Sequence, residues 1–176
     1  MKHTIITSAL VLLTSVSTLL AAEPEKIHWV TFEEAVKLCQ KEPRKIIVDV
    51  YTDWCGWCKR MDATTFSNPV IVKYVNEKFY AVKFNAETRD TIRFDGNAFG
   101  YVKEYKANEF AVSLLNGKMS YPTTVYLNEK FEVLSPVPGY LKPMMLEKIL
   151  KFYGENSHVS TKWEEFEKTF VGEAKE

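Results

Sequence analysis

Apolar residues crowd together from Lys45 to Tyr51, where Ile46, Ile47, Val48 and Val50 are interrupted only by Asp49. A short run that is apolar at both odd and even positions reads as a strand buried on both faces. The pattern changes on either side of it. Ile27 to Val30 is a short candidate strand. Phe32, Ala35, Val36 and Cys39 then recur at helical spacing. Thr31 and Glu34 form a capping-box pattern ahead of that helix, and Pro43 requires it to end. After the central run, Lys59, Arg60, Met61, Asp62 and Ala63 favour helix. The helical stretch is interrupted near Phe66-Ser67-Asn68-Pro69. Asn68 can cap a second piece with Pro69 at its first position, running to about Lys78. Phe79–Asn85 reads as the next strand.

The second half is patterned in shorter pieces. Thr91–Phe99 reads as a hairpin across Asp95-Gly96. Asn108–Asn116 reads as a helix with Phe110, Ala111, Leu114 and Leu115 inward and Gly117 ending it. Thr123–Leu127 and Phe131–Leu134 pair across Asn128-Glu129-Lys130. Pro143–Tyr153 is helical, with Met144, Leu146, Ile149 and Leu150 partly inward. In the tail, Thr161 and Glu164 repeat the capping-box pattern, and Trp163, Phe166 and Phe170 stripe one face of the helix that follows. Early strands joined through helices are parallel, and a tight hairpin is antiparallel. The expectation is an α/β fold with a mixed central sheet, helices on both faces, an inserted hairpin and a C-terminal helical tail.

Composition adds little to this. The chain has 176 residues, with 23 Lys and Arg against 23 Asp and Glu. That length suits one domain with a sizeable core, and the balanced charge points to no nucleic-acid or acidic-lipid partner. The N-terminus does change the picture. Lys2 precedes an uncharged stretch from Thr4 through Ala22, apolar at Ala9 to Leu13, with small residues leading to Ala21-Ala22. This has the form of a secretory signal peptide over residues 1–22 and leaves no stable membrane anchor after cleavage. The expected organisation is a main domain over residues 23–154, an insertion at 86–107 and a helical extension at 155–176. Periplasm of a Gram-negative bacterium is the expected location.

Export bears on the cysteines. Outside the cytosol disulfides persist. Three cysteines, one close pair and one odd, do not make a disulfide scaffold. The pair is Cys55 and Cys58, in Trp54-Cys55-Gly56-Trp57-Cys58-Lys59, directly after the central strand. Cys55 thus falls at a strand-to-helix junction, where unpaired N–H groups and the helix dipole stabilise a thiolate. The thiolate is the attacking species in disulfide exchange, and Cys58 is placed to resolve the mixed disulfide. On this geometry Cys55 is the exposed thiol and Cys58 the shielded one. A structural clip is the competing reading of the pair. A zinc site needs two more ligands, and His28 and His158 are isolated. Covalent haem needs histidine where Lys59 stands. No metal or cofactor is expected. Cys39, on an inner helical face, reads as a buried inert thiol, with regulation or intermolecular pairing as alternatives.

With these residues in hand the chain resembles thioredoxin. Val48-Asp49-Val50-Tyr51-Thr52-Asp53-Trp54-Cys55-Gly56-Trp57-Cys58-Lys59 matches the thioredoxin active-site stretch in register. Asp49 falls where that family carries a buried aspartate, and Lys83 where it carries a neighbouring lysine. Tyr121-Pro122-Thr123 matches its cis-proline loop. The phrase Cys-Lys-Arg-Met-Asp-x-x-Thr-Phe-Ser-Asn-Pro is typical of exported thioredoxin-like proteins of Bacteroidetes-type bacteria. The resemblance covers roughly residues 27–153. It departs at Trp57, which replaces a proline, and at Ala86–Ala107, which is longer than the family minimum. Both bear on redox potential and partner.

The resemblance implies a thiol–disulfide oxidoreductase acting on protein substrates. Cys55 and Cys58 would be catalytic, and Asp49 and Lys83 would be either a proton relay serving Cys58 or a structural buried pair. Trp54, Gly56, Trp57, Tyr121 and Pro122 would bind substrate, which can add as a strand beside Tyr121. Asp53 and the uncharged Trp57 favour the thiolate little, and a stabilised thiolate is what makes a strong oxidant. The expected direction is reduction, with recharging by a membrane electron donor. An oxidase or isomerase, or a binding module with a permanent disulfide, are the alternatives. The insertion is expected to border the active site, with its Asp95-Gly96 hairpin flanking the groove of Trp54, Trp57 and Tyr121.

Overall fold

Lys45–Tyr51 forms the central strand, as its apolar run predicts. The computed structural model describes residues 25–175 and orders their elements as β1 (Trp29–Val30), α1 (Phe32–Lys41), β2 (Lys45–Tyr51), α2 (Gly56–Thr64), α3 (Pro69–Lys78) and β3 (Phe79–Asn85). The insertion supplies β4 (Ile92–Phe94), β5 (Asn97–Phe99), β6 (Tyr101–Val102) and β7 (Ala107–Asn108). The chain ends with α4 (Glu109–Leu114), β8 (Thr123–Leu127), β9 (Val133–Pro138), α5 (Pro143–Gly154), α6 (Ser157–Ser160) and α7 (Trp163–Thr169). Residues 1–22, read as a signal peptide, lie outside the described residues. No helix among the described residues is long and apolar enough to cross a membrane.

The main sheet has the order β1-β3-β2-β8-β9. β1 and β2 run parallel to β3, while β8 is antiparallel to β2 and to β9. Alternation along the strands then sorts the core into two layers. Ile47, Ala81 and Tyr126 face α2, α3 and α5 through Met61, Ile71, Val75, Leu146 and Leu150. Ile46, Val48, Val50, Val82 and Val125 face α1 and α4 through Phe32, Ala35, Phe110 and Leu114. The mixed sheet covered on both faces is as expected. The Thr31–Glu34 capping box closes α1, and Asn68 caps α3 with Pro69 in its first turn.

Several boundaries differ for identifiable reasons. β9 runs over Val133–Pro138 rather than Phe131–Leu134, because Phe131 adopts a positive φ of 65° inside the turn. β9 continues through Pro136 and Pro138 because it is an edge strand, where a missing outward N–H costs nothing. Asn108 belongs to β7 and caps α4 instead of opening it. Its Oδ1 accepts from the Phe110 N–H at 2.9 Å, and its Nδ2 donates to the carbonyls of Asp90 at 2.9 Å and Phe99 at 3.3 Å. The second hairpin, β6–β7, was not read from the sequence. In the tail, α7 begins after Lys162 with no side-chain cap, so the Thr161–Glu164 box does not form. The aromatic stripe does dock: Trp163 and Phe166 lie 5.2 and 5.1 Å from Phe152 of α5.

The insertion does not lie as expected. Asp95 and Gly96 both take positive φ, as a tight two-residue turn requires. Yet Phe94, beside that turn, packs 5.2 Å from Phe32 and 5.2 Å from Phe131. Phe131 lies beyond Leu127, which pairs with Ile46 at the start of β2. The hairpin tip therefore points to the edge opposite Cys55. Burying Ile92, Phe94 and Phe99 against α1 and α4 outweighs any pull towards the groove. The first residues of the insertion border the active-site edge, where the Ala86 N–H donates to Tyr51 and Glu87 reaches Trp54.

Candidate active site

β2 ends at Tyr51 and delivers Cys55 to the N-cap of α2. The Cys55 N–H donates to the Thr52 carbonyl at 3.1 Å, a turn that aims the side chain at the helix start. Cys55 Sγ accepts from the Cys58 backbone N–H at 3.1 Å, so the sulfur takes one of the N–H groups left unpaired at the helix N-terminus. Cys55 and Cys58 are joined by a disulfide with Cα atoms 5.3 Å apart. In this oxidised form the expected difference in exposure is absent. Cys55 is 4% exposed and Cys58 2%.

What reaches solvent is aromatic. Trp54 is 67% exposed and Trp57 58%. Gly56 lies between them, and a Cβ there would meet nothing within 4 Å, so this position is open to solvent. Trp54 packs edge-on against Tyr121 at 5.9 Å, and its Nε1–H donates to Glu87 at 3.1 Å. The Tyr121–Pro122 peptide is cis, and the Pro122 carbonyl accepts from Gly139 at 2.8 Å. Trp57, Tyr121, Pro122, Gly139 and Tyr140 line a hollow of about 310 Å³. Trp54, Cys55, Gly56, Trp57, Tyr121 and Pro122 are thus brought to one groove.

Asp49 and Lys83 come together elsewhere, on the sheet face that α2 covers. They are direct register partners in β2 and β3, with Lys83 Nζ 2.6 Å from Asp49 Oδ2. Asp49 is 1% exposed, and its Oδ1 has no hydrogen-bond partner. Burial pushes its carboxyl up to about 6; Lys83 pulls the other way, and Asp62 adds to the rise. Lys83 also binds Asp62, one helical turn beyond Cys58 on α2. Burial disfavours the Lys83 ammonium, but Asp49 and Asp62 outweigh it and raise its affinity for the proton. Trp29 and Tyr51 flank the ammonium at 5.0 and 5.1 Å. A cleft of about 500 Å³, lined in part by Trp29, Asp62, Phe66 and Lys83, opens this cluster to the surface.

A family model described as Thioredox_DsbH, protein of unknown function, DUF255, matches residues 10–176. The chain belongs to the Thioredox_DsbH family. Among solved structures, the chain is similar to a DsbH oxidoreductase at 12% identity and TM-score 0.54, covering 84% of this chain and 95% of that one. A thioredoxin from Thermus thermophilus matches at 18% identity and TM-score 0.56, covering 78% and 99%. A putative disulphide-isomerase from Bacteroides thetaiotaomicron matches at 27% identity and TM-score 0.53, covering 77% and 98%. A search of curated proteins finds no match. The fold is that of thioredoxin, and this DsbH-family chain carries the close cysteine pair of thioredoxin-like disulfide oxidoreductases.

Sequence reasoning missed Asp62, Glu87, Arg60 and Tyr140. Asp62 had a usable signal, since its spacing from Cys58 places both on one helical face. Glu87 and Tyr140 had none, because only tertiary folding carries them to the groove. Cys39 is buried; its Sγ–H lies 3.3 Å from the Arg44 carbonyl and 3.6 Å from that of Glu129. Among the described residues no cluster of three or more His, Cys, Asp or Glu is arranged to hold a metal ion.

Proposed function

We propose that this chain is an exported thiol–disulfide oxidoreductase that reduces disulfides in protein substrates, a membrane electron donor restoring its dithiol. The observation that carries the reading is Cys55 at the N-cap of α2, its sulfur on the Cys58 N–H, in a groove walled by exposed tryptophans. In the reduced protein the same N–H stabilises a Cys55 thiolate. That thiolate attacks one sulfur of the substrate disulfide, a mixed disulfide forms, and the other substrate sulfur leaves as a thiolate. Cys58 then loses its proton and attacks Cys55 Sγ. The second substrate thiol leaves and the Cys55–Cys58 disulfide remains. Two electrons have passed from the protein dithiol to the substrate.

Asp49 is suited to take the Cys58 proton. Burial pushes its carboxyl up to about 6, and its Oδ1 has no hydrogen-bond partner. Lys83 and Asp62 lead from it to the cleft at the surface. Trp54, Trp57, Tyr121 and Pro122 hold the substrate segment, and the open position at Gly56 lets it approach. Residues 1–22 would direct export as a cleaved signal peptide.

Insulin reduction and the potential of the Cys55–Cys58 pair test the reading. The expected result is catalysis with a potential near that of thioredoxin, about −270 mV. A potential near about −120 mV would make the protein an oxidant. A disulfide that dithiothreitol cannot open, without insulin reduction, would make it a structural clip. Cys58→Ser should accumulate mixed disulfides through Cys55, and Cys55→Ser should not.

A further inference from the structure

The two walls of the groove carry opposite charge. At the Trp57 wall, the Arg60 guanidinium lies 5.6 Å from the Trp57 ring and 5.9 Å from the Tyr140 ring, and these rings are 5.5 Å apart. Tyr140 is itself held at its hydroxyl by Thr64 at 2.9 Å. Two aromatic faces fix the guanidinium, and among the described residues no carboxylate is paired with it. The Tyr140 hydroxyl engages part of its planar fork of donors, and the rest is available to a ligand. The hollow beside Pro122 is directly adjacent, since Trp57 and Tyr140 line both.

At the Trp54 wall the sign reverses. Glu87 Oε1 accepts from Trp54, and Asp53 Oδ2 accepts from Asn85 Nδ2 at 3.1 Å. Burial and then the charge of Glu87 push the Tyr121 phenol up. In sequence, Cys55 stands between Asp53 of the acidic wall and Arg60 of the basic one.

We infer that this groove reads the charge direction of its substrate. It selects extended cysteine-bearing segments of proteins that turn an acidic residue towards Arg60, a basic residue towards Glu87, and an apolar side chain into the hollow at Pro122. The inference rests on the oxidoreductase reading and names the substrate class of that site. An extended segment has one chain direction when it pairs with the backbone at Tyr121, so the acidic and basic residues fall on opposite sides of its cysteine. Rim charges of this kind act mainly on encounter and orientation. The expected discrimination between the two charge orders is roughly fivefold, and salt screens it.

The test uses the reduced full chain and extended peptides whose single cysteine is a mixed disulfide with nitrothiobenzoate. One set places Glu before and Lys after the cysteine, one reverses them, and one has Gln at both positions. Release of nitrothiobenzoate should differ roughly fivefold between the two orders, with the Gln peptide between them. Arg60→Glu, with Arg60→Gln as a milder variant, should collapse or invert that ratio. Lys130→Glu, the same charge change in the β8–β9 turn, should keep it. Equal rates for both orders overturn the inference, as does a ratio that Arg60→Glu leaves intact or Lys130→Glu moves equally. Faster reaction with glutathione mixed disulfide than with every peptide also overturns it, since the carboxylate read would then belong to a small thiol. Bis(hydroxyethyl) disulfide separates the two levels. Inactivity towards this neutral compound sinks the oxidoreductase reading and the inference together, while normal reaction with it beside indifference to peptide charge sinks the inference alone.

Discussion

Asp49 in β2 and Glu147 in α5 are both carboxylates sealed from solvent, 1% and 0% exposed. Glu147 is surrounded by donors. Both of its oxygens accept from the Glu173 N–H, at 3.1 and 2.9 Å, and Oε2 also accepts from Ala174 at 2.8 Å. Lys151 lies 3.6 Å away, and Ala174 enters the core beside α3 and α5. Asp49 has one strong partner, Lys83, which it shares with Asp62, and one oxygen left over. The charge on Glu147 is met where it stands and fastens the chain end. Burial, which Lys83 offsets only in part, holds the Asp49 proton well above the usual carboxylate range. A buried carboxylate becomes useful for proton transfer when its hydrogen bonding is left unfinished.

The comparison breaks first at Glu147. Glu147→Ala should release residues 171–175 and cost about 3 kcal/mol in urea unfolding, since buried N–H groups lose their acceptor. It should also open the C-terminus to carboxypeptidase while leaving insulin reduction nearly intact. A silent substitution would show that the clasp does not hold the tail.

Asp49→Asn should act in the opposite direction. A carboxyl raised in the folded state from 3.8 to about 6 takes up protons on folding between those values. Its effect on stability is therefore absent below about pH 4 and becomes unfavourable as pH rises to about 6. The variant should match the native protein at pH 4 and exceed it by about 2 kcal/mol at pH 8. The same substitution should slow resolution by Cys58 more than attack by Cys55, read by stopped-flow mixing with a disulfide substrate. Equal effects on both steps would reduce Asp49 to a structural group.

Gly172→Ala sharpens the contrast at lower cost. A Cβ there would stand 2.7 Å from Glu147 Oε2 and 2.9 Å from the Phe170 ring. The tail must shift to accept it, at about 1 kcal/mol in thermal or urea unfolding. Asp62→Asn should have the smallest effect. It removes one of the charges that raise Asp49 and frees Lys83 for it, so the pH midpoint of the resolution step should move down. An upward movement would mean that Asp62 orders the cluster by other means.

The two carboxylates were not equally legible in the sequence. Asp49 interrupts a run of Ile and Val, and a charge in such a place stands out. The strands on either side could be paired because their apolar runs and connecting helices leave little choice of topology. Glu147 adjoins the apolar stripe of Leu146, Ile149 and Leu150, and its partners are backbone groups of residues 173 and 174. No helical period reports a backbone donor so far along the chain. The insertion shows the same limit. Its turn was readable from Asp95-Gly96, a local matter, whereas its direction was decided by where Phe94 and Phe99 find other aromatic rings. Within the groove, the residues adjoining the cysteines were readable from their spacing, and those contributed by other loops, Glu87 and Tyr140, were not.

The ends of the sheet carry a consequence of another kind. β1 offers two residues, and β9 contains Pro136 and Pro138. An edge-to-edge approach by a second sheet needs a long row of unpaired donors and acceptors. One border here is too short, and the other lacks the nitrogens that would donate. The main sheet is thereby protected against growing into fibrous or stacked aggregates through its own borders. On the proposed function, backbone pairing by a foreign chain would fall to the brief irregular stretch at Tyr121, long enough to hold only a few residues.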